Sequence, residues 1–221
     1  FFVFIGLVSC FFNYSCYLCT MKQAMIFAAG IGTRLKPITD SIPKALVRVG
    51  GQPLIYHVVT KLRAVGFERI VVNVHHFADQ IIKYLAENDN FGIDIRISDE
   101  RERLLETGGG IKKALPLFDA DSPILIHNVD ILSNVDLSLF YEEAKDNDAT
   151  LLVSQRKTKR YLLFDDAMLL KGWTNIETGE LIMDGNQGNI DKDQLTMLAF
   201  SGIHVIAPSV FSYFQKMPER F

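Results

Sequence analysis

A short apolar run, residues 24–29, delivers the chain directly into a loop carrying Gly30 and Gly32, and few folds accept that arrangement. The run has the length of a buried strand and is closed by glycine. Glycine lets the backbone turn tightly and come close to a ligand, leaving N–H groups free for phosphate oxygens or a base edge. Arg34 and Lys44 follow in the same stretch and add two cations. Backbone donors and fixed cations on one wall of a cleft make an anion-binding loop.

Two common phosphate loops do not describe it. In the dinucleotide pattern G-x-G-x-x-G the third glycine would fall at Leu35, with Pro37 soon after, so a helix cannot open there in the Rossmann manner. The pattern G-x-x-x-x-G-K-[ST] is also absent, because Thr33 and Arg34 follow Gly32. Residues 30–46 read G-I-G-T-R-L-K-P-I-T-D-S-I-P-K-A-L. This stretch resembles the signature of the sugar nucleotidyltransferases, the NDP-sugar pyrophosphorylases, written roughly G-x-G-T-R-L-x-P-x-T-x-x-x-P-K-x-L, and every specified position is filled. The resemblance implies that Gly30, Gly32, Thr33, Arg34 and Lys44 meet the nucleotide, and that Arg34 and Lys44 carry catalytic charge.

Beyond the loop, strand and helix patterns alternate. Residues 53–65 carry Leu54, Ile55, Val58, Val59, Leu62 and Val65 at helical spacing and stop at Gly66. Residues 69–74 predict a strand, 77–85 a helix, 93–97 a strand, 110–117 a helix stopped near Pro116, and 123–127 a buried strand. Such alternation implies βαβ crossovers and an α/β fold, a Rossmann-like, mostly parallel sheet flanked by helices. Ligands gather at the carboxyl ends of these strands, where Gly30 and Asp130 both fall. Residues 149–206 are richer in strand patterns, at 151–154, 161–164 and 168–173, then in E-T-G-E-L and F-S-G-I-H-V-I. The resemblance makes this the sugar-binding part.

Asp130, in I-H-N-V-D-I-L, is similar to the family's metal-binding aspartate, which would hold Mg²⁺ across phosphate oxygens. Asn128 matches an asparagine near the sugar phosphate, while Val129 stands where many members carry glycine. L-E-T-G-G-G-I at residues 105–111 resembles the glycine loop that meets base and ribose. It nominates Glu106, Thr107 and Gly108 for the nucleotide and resembles the branch that includes the N-acetylmuramic acid 1-phosphate uridylyltransferases, while related guanylyltransferases carry similar glycine loops, so it does not decide the base. Asp165 and Asn175 are candidates for sugar contacts, although turn residues of this type commonly satisfy their own backbone. The five histidines show no metal-ligand spacing.

Among 221 residues, 48% hydrophobic content supplies a sizeable core, and a net charge of −3 argues against nucleic acid as a partner. The basic tract R-K-T-K-R at residues 156–160 reads as a solvated hairpin end. Residues 1–20 are uncharged and hold all three cysteines. Their length approaches a membrane span, but they lack the basic start of a signal peptide. Met21 is therefore read as the start of a single domain covering residues 21–221, free of cysteine, cytoplasmic, and not expected at a membrane. No second metal-binding aspartate is evident before Phe221, which predicts a domain cut short at its C-terminus.

The expected reaction joins a nucleoside triphosphate to a sugar 1-phosphate and releases pyrophosphate, feeding cell-wall or surface polysaccharide synthesis. UTP with an amino-sugar 1-phosphate, such as N-acetylmuramic acid 1-phosphate, is preferred over mannose 1-phosphate with GTP. A catalytically silent nucleotide-sugar sensor and a membrane-anchored binding protein are the alternatives. Oligomeric state is left open.

Overall fold

The computed structural model describes residues 2–4, 21–183 and 194–219. Its core is a parallel sheet built from β2 (Gln23–Phe27), β5 (Arg69–Val74), β6 (Asp94–Asp99) and β7 (Ile124–Asn128). The spatial order is β6-β5-β2-β7, so the chain steps outward from β2 in one direction and then returns to its other side. All contacts among these strands are parallel. The crossovers are α1 (Leu54–Ala64), α2 (Ala78–Glu87) and α3 (Glu106–Ala114). Two short strands, β3 (Arg48–Val49) and β4 (Gln52–Pro53), form a small hairpin before α1.

The later part of the chain extends the same sheet antiparallel. After α4 (Leu137–Ala144) come β8 (Ala149–Ser154), β9 (Arg160–Phe164), β10 (Leu170–Asn175), β11 (Glu180–Met183) and β12 (Thr196–Ile206), with α5 (Phe211–Lys216) last. The long β12 pairs with β7 through residues 203–206 and with β9 through 196–198, binding the two parts into one sheet. It also pairs with β8, whose outer edge receives β1 (Phe2–Phe4). The expectations for residues 5–20 lie outside the described residues.

Alternation along the strands fills two cores. Ala24, Ile26, Val72 and Leu125 face α1, α2 and α4, while Met25, Val71, Ile124 and Ile126 face α3 and α5. Leu54, Ile55, Val58, Val59 and Leu62 of α1 are buried, as their spacing predicts. Each is worth roughly 1.5–3 kcal/mol of apolar burial. Val65 closes α1 and Gly66 follows at φ 86°, a conformation that suits glycine at a helix end.

Two differences from the sequence expectation have plain causes. The helix expected over 110–117 begins at Glu106, because Gly108, Gly109 and Gly110 are buried inside α3 and not in a loop. A Cβ on Gly109 would stand 2.1 Å from the Glu219 carbonyl oxygen, so close packing calls for glycine at that position. α4 carried no sequence expectation, yet Asp136 caps it, its Oδ1 accepting from the Ser138 and Leu139 N–H groups at 3.0 Å each.

Phe140 is fully buried in the main core. Phe140→Ala should cost about 3–5 kcal/mol by urea denaturation, and a loss below about 1 kcal/mol would contradict this packing. His127 on β7 is 1% exposed, and its Nδ1–H donates to the Asn128 carbonyl at 2.8 Å. Burial holds its pKa down at about 4. Because the unfolded chain then binds the proton more readily, this contribution to stability is whole above pH about 6.5 and is lost as pH falls toward about 4. Urea midpoints should drop between about pH 7 and pH 5, and equal midpoints would overturn the assignment.

Candidate active site

The cleft opens where the strand order turns back, beyond the carboxyl ends of β2 and β7. It encloses about 230 Å³ and is lined by Gly30, Lys44, Glu106, Thr107, Asn128 and Asp130, among others. Residues far apart in sequence therefore meet because four parallel strands end on one side.

The first wall comes from the loop after β2. Gly32 sits at φ 72° ahead of a single helical turn, Thr33–Leu35. A Cβ there would approach Thr39 Cγ2 to 2.9 Å and Lys44 Cβ to 3.1 Å, so both torsion and space call for glycine. Thr39, 2% exposed, donates its hydroxyl to the Gly32 carbonyl at 2.8 Å and fastens the loop onto the segment that carries Lys44. A further short turn, Lys44–Leu46, follows Pro43 and aims Lys44 inward.

Lys44 meets Asp130 as a direct ion pair. Their side chains are 17% and 32% exposed, so the pair sits partly shielded in the mouth of the cleft. Asp130 follows β7 at a turn in which the Ile131 N–H donates to the Asn128 carbonyl at 3.2 Å. Arg34 is exposed and does not line the cleft, and among the described residues it makes no hydrogen bond or ion pair. Thr33 is likewise exposed beside it.

The opposite wall is the start of α3. Glu106 and Thr107 line the cleft, whereas Gly108 is buried in the helix behind them. Glu106 adopts φ 62°, an uncommon conformation outside glycine that marks a sharp entry to the helix. Val129, which replaces the glycine of the resemblance, is 2% exposed and packs in the main core, and its N–H donates to the Phe27 carbonyl at 3.2 Å.

Asp165 and Asn175, nominated for the sugar, are not brought to the cleft. Asp165 Oδ1 accepts from the Leu169 N–H at 2.8 Å and Oδ2 meets Lys171 at 3.2 Å, which fixes the turn between β9 and β10. Desolvation raises its carboxyl, but the Leu169 N–H and then the Lys171 ammonium together hold it below the usual range. Asn175 Oδ1 accepts from the Glu177 N–H at 3.1 Å in the next turn. Both satisfy their own hairpins, the competing role that short polar residues at turns carry.

Sequence reasoning missed Asn73, which lines the cleft from the end of β5. The available signal was one polar residue near the carboxyl end of an otherwise apolar strand, R-I-V-V-N-V. Among the described residues, no group of three or more His, Cys, Asp or Glu side chains is arranged to hold a metal. No helix among them is long and apolar enough to cross a membrane.

Comparison with known proteins agrees with this geometry. Residues 23–162 match the family model described as nucleotidyl transferase. The N-acetylmuramate alpha-1-phosphate uridylyltransferase of Caulobacter vibrioides is 36% identical over 199 residues, covering 86% of this chain and 76% of that protein. The enzyme of the same name from Neisseria meningitidis serogroup B is 40% identical over 122 residues, covering 55% of this chain and 52% of the relative. The crystal structure of HddC from Yersinia pseudotuberculosis superposes with a TM-score of 0.69 at 25% identity, over 91% of this chain and 82% of that one. The chain belongs to the nucleotidyl transferase family and, within it, to the sugar-1-phosphate nucleotidyltransferases.

Proposed function

We propose that this protein transfers a uridylyl group from UTP to an amino-sugar 1-phosphate, N-acetylmuramic acid 1-phosphate being the preferred acceptor. The observation that carries the reading is the convergence of Gly30, Lys44, Glu106, Thr107, Asn128 and Asp130 on one cleft. The names of the two uridylyltransferase relatives support the choice of base and sugar.

In the reaction a sugar-phosphate oxygen attacks the α-phosphorus of UTP, a new P–O bond forms, and the bond to the β-phosphate bridging oxygen breaks to release pyrophosphate. No covalent intermediate on the protein is needed, so the work is positioning and charge neutralisation. The backbone at Gly30 and Gly32 approaches the phosphates, and the start of α3 offers N–H groups to the ribose or base. The Lys44 ammonium, paired with Asp130 in the free protein, is within the cleft to meet the α-phosphate and the incoming sugar phosphate. Arg34, on the exposed loop, is free to close over the departing pyrophosphate. Asn128 is the residue offered to the sugar phosphate.

A divalent ion fits the donor set. Mg²⁺ in phosphoryl-transfer sites is held by one or two carboxylates with the remaining positions filled by substrate oxygens and water. Asp130 supplies one carboxylate that already faces a cation. When bound, the ion neutralises phosphate charge in the transition state.

Arg34→Ala and Lys44→Ala should each lower turnover about a hundredfold or more, with thermal melting nearly unchanged, and near-normal rates in both would remove this mechanism. Pyrophosphate release measured across UTP, GTP, dTTP and CTP with several sugar 1-phosphates should be greatest for UTP with N-acetylmuramic acid 1-phosphate. Release with GTP and mannose 1-phosphate alone would contradict the assigned substrates.

A further inference from the structure

A buried polar bridge joins the two walls of the cleft from behind. Asn73 is 2% exposed, and its Oδ1 accepts from the N–H groups of Ala28 and Ala29 at 2.7 and 3.2 Å. Those two residues lead β2 into Gly30, so Asn73 holds the root of the glycine loop. Its Nδ2 donates to Oε1 of Glu100 at 2.9 Å. Glu100 is fully buried, and its Oε2 accepts the Leu105 N–H at 3.1 Å, one residue before α3 begins.

The bridge therefore runs from the glycine loop through two side chains to the opposite wall, where Glu106 and Thr107 face the cleft. Each link has a fixed direction. Asn73 must accept from two backbone N–H groups on one edge and donate on the other, and Glu100 must accept at both oxygens. Burial makes the arrangement strict, because any mismatched atom would be left without water to satisfy it. The packing of α3 follows from the same spot. A Cβ on Gly110 would stand 3.0 Å from Glu100 Oε1 and 3.3 Å from Asn73 Nδ2, so a helix with a larger residue at 110 would press on the bridge.

We propose that Asn73 and Glu100 are positioning residues that set the separation of the glycine loop from the start of α3, and thereby the fit of the nucleoside triphosphate. The inference rests on the nucleotidyl-transfer reading and adds to it a pair that touches neither reacting phosphate. Its consequence is an exchange test. Asn73→Asp turns an oxygen toward Glu100, and Glu100→Gln sets an amide N–H₂ against one of its two donors. Made together, the substitutions reverse the central hydrogen bond and keep every other partner. The carboxylate introduced at position 73 would accept from Ala28, Ala29 and the new amide, while the remaining oxygen at position 100 accepts from Leu105.

The full 221-residue chain and its three variants are compared by steady-state pyrophosphate release with UTP varied, by calorimetric UTP binding and by thermal melting. Each single variant should raise KM and Kd for UTP about tenfold, equivalent to about 1.4 kcal/mol, and the double variant should restore both to within about threefold. A purely structural role would lower the melting temperature and the active fraction without moving KM or Kd, and that pattern overturns the proposal. Failure of the double variant to recover KM and Kd overturns it as well. If a single variant does not fold, Gly110→Ala provides the second perturbation and should raise KM in the same way, an unchanged KM again refuting the bridge. A parent chain that neither binds nor turns over any nucleoside triphosphate would instead refute the nucleotidyl-transfer reading itself.

Discussion

Everything in this molecule depends on β2 being held between two parallel neighbours, β5 and β7, that the chain reaches in opposite directions. Because one crossover series runs toward β6 and the chain then returns to the far side of β2, the helices diverge above the strand ends and leave a crevice. A glycine loop at that point meets whatever enters. The backbone of β2 is satisfied on both sides and its side chains fill both cores, so the loop is launched from a strand held at both edges and on both faces. Such support is what the proposed anion site, a few N–H groups and one ammonium, requires to be preorganised.

The charge arrangement in the cleft is consistent with this origin. Lys44 from the segment after β2 and Asp130 from the end of β7 meet in the crevice and neutralise each other in the free protein. The pair spares the protein two unpaired charges in a partly shielded site, and it leaves both groups beside the place where phosphate oxygens and a divalent ion would compete for them. The antiparallel extension through β12 has a different part to play. It braces β7, whose carboxyl end carries Asn128 and Asp130, and Gly202 on β12 lies so near that a Cβ there would stand 3.0 Å from Asn128 Nδ2.

Much of this was legible in the residues. The β2 run, the spacing of apolar residues in α1 and the β-branched β5 follow local rules, and the structure ends these elements within one or two residues of the expected bounds. That Gly30, Lys44, Glu106, Thr107, Asn128 and Asp130 would line one cleft was legible from the dense motif after β2, the L-E-T-G-G-G-I stretch and the end of β7. Gly108 and Gly109 were read as a loop ahead of a helix starting at Gly110, because what a glycine does inside a helix is tertiary: only the neighbours Glu219 and Glu100 explain why this helix carries Gly109 and Gly110. Asp165 and Asn175 illustrate the reverse, since a turn residue and a ligand-binding residue look alike until the hydrogen-bond partners are known. Asn73 offered only the faint signal of a polar residue in an apolar strand, and the importance of Asn73 and Glu100 lies in partners 45 and 27 positions away.

The most direct test of the central claim is a crystal structure of the chain with UTP and Mg²⁺. The triphosphate is expected against the backbone at residues 30–33, with Lys44 released from Asp130 toward the α-phosphate and the uracil between the glycine loop and the start of α3. A nucleotide bound elsewhere, or bound here with the Lys44–Asp130 pair intact and no phosphate on Lys44, would contradict the account.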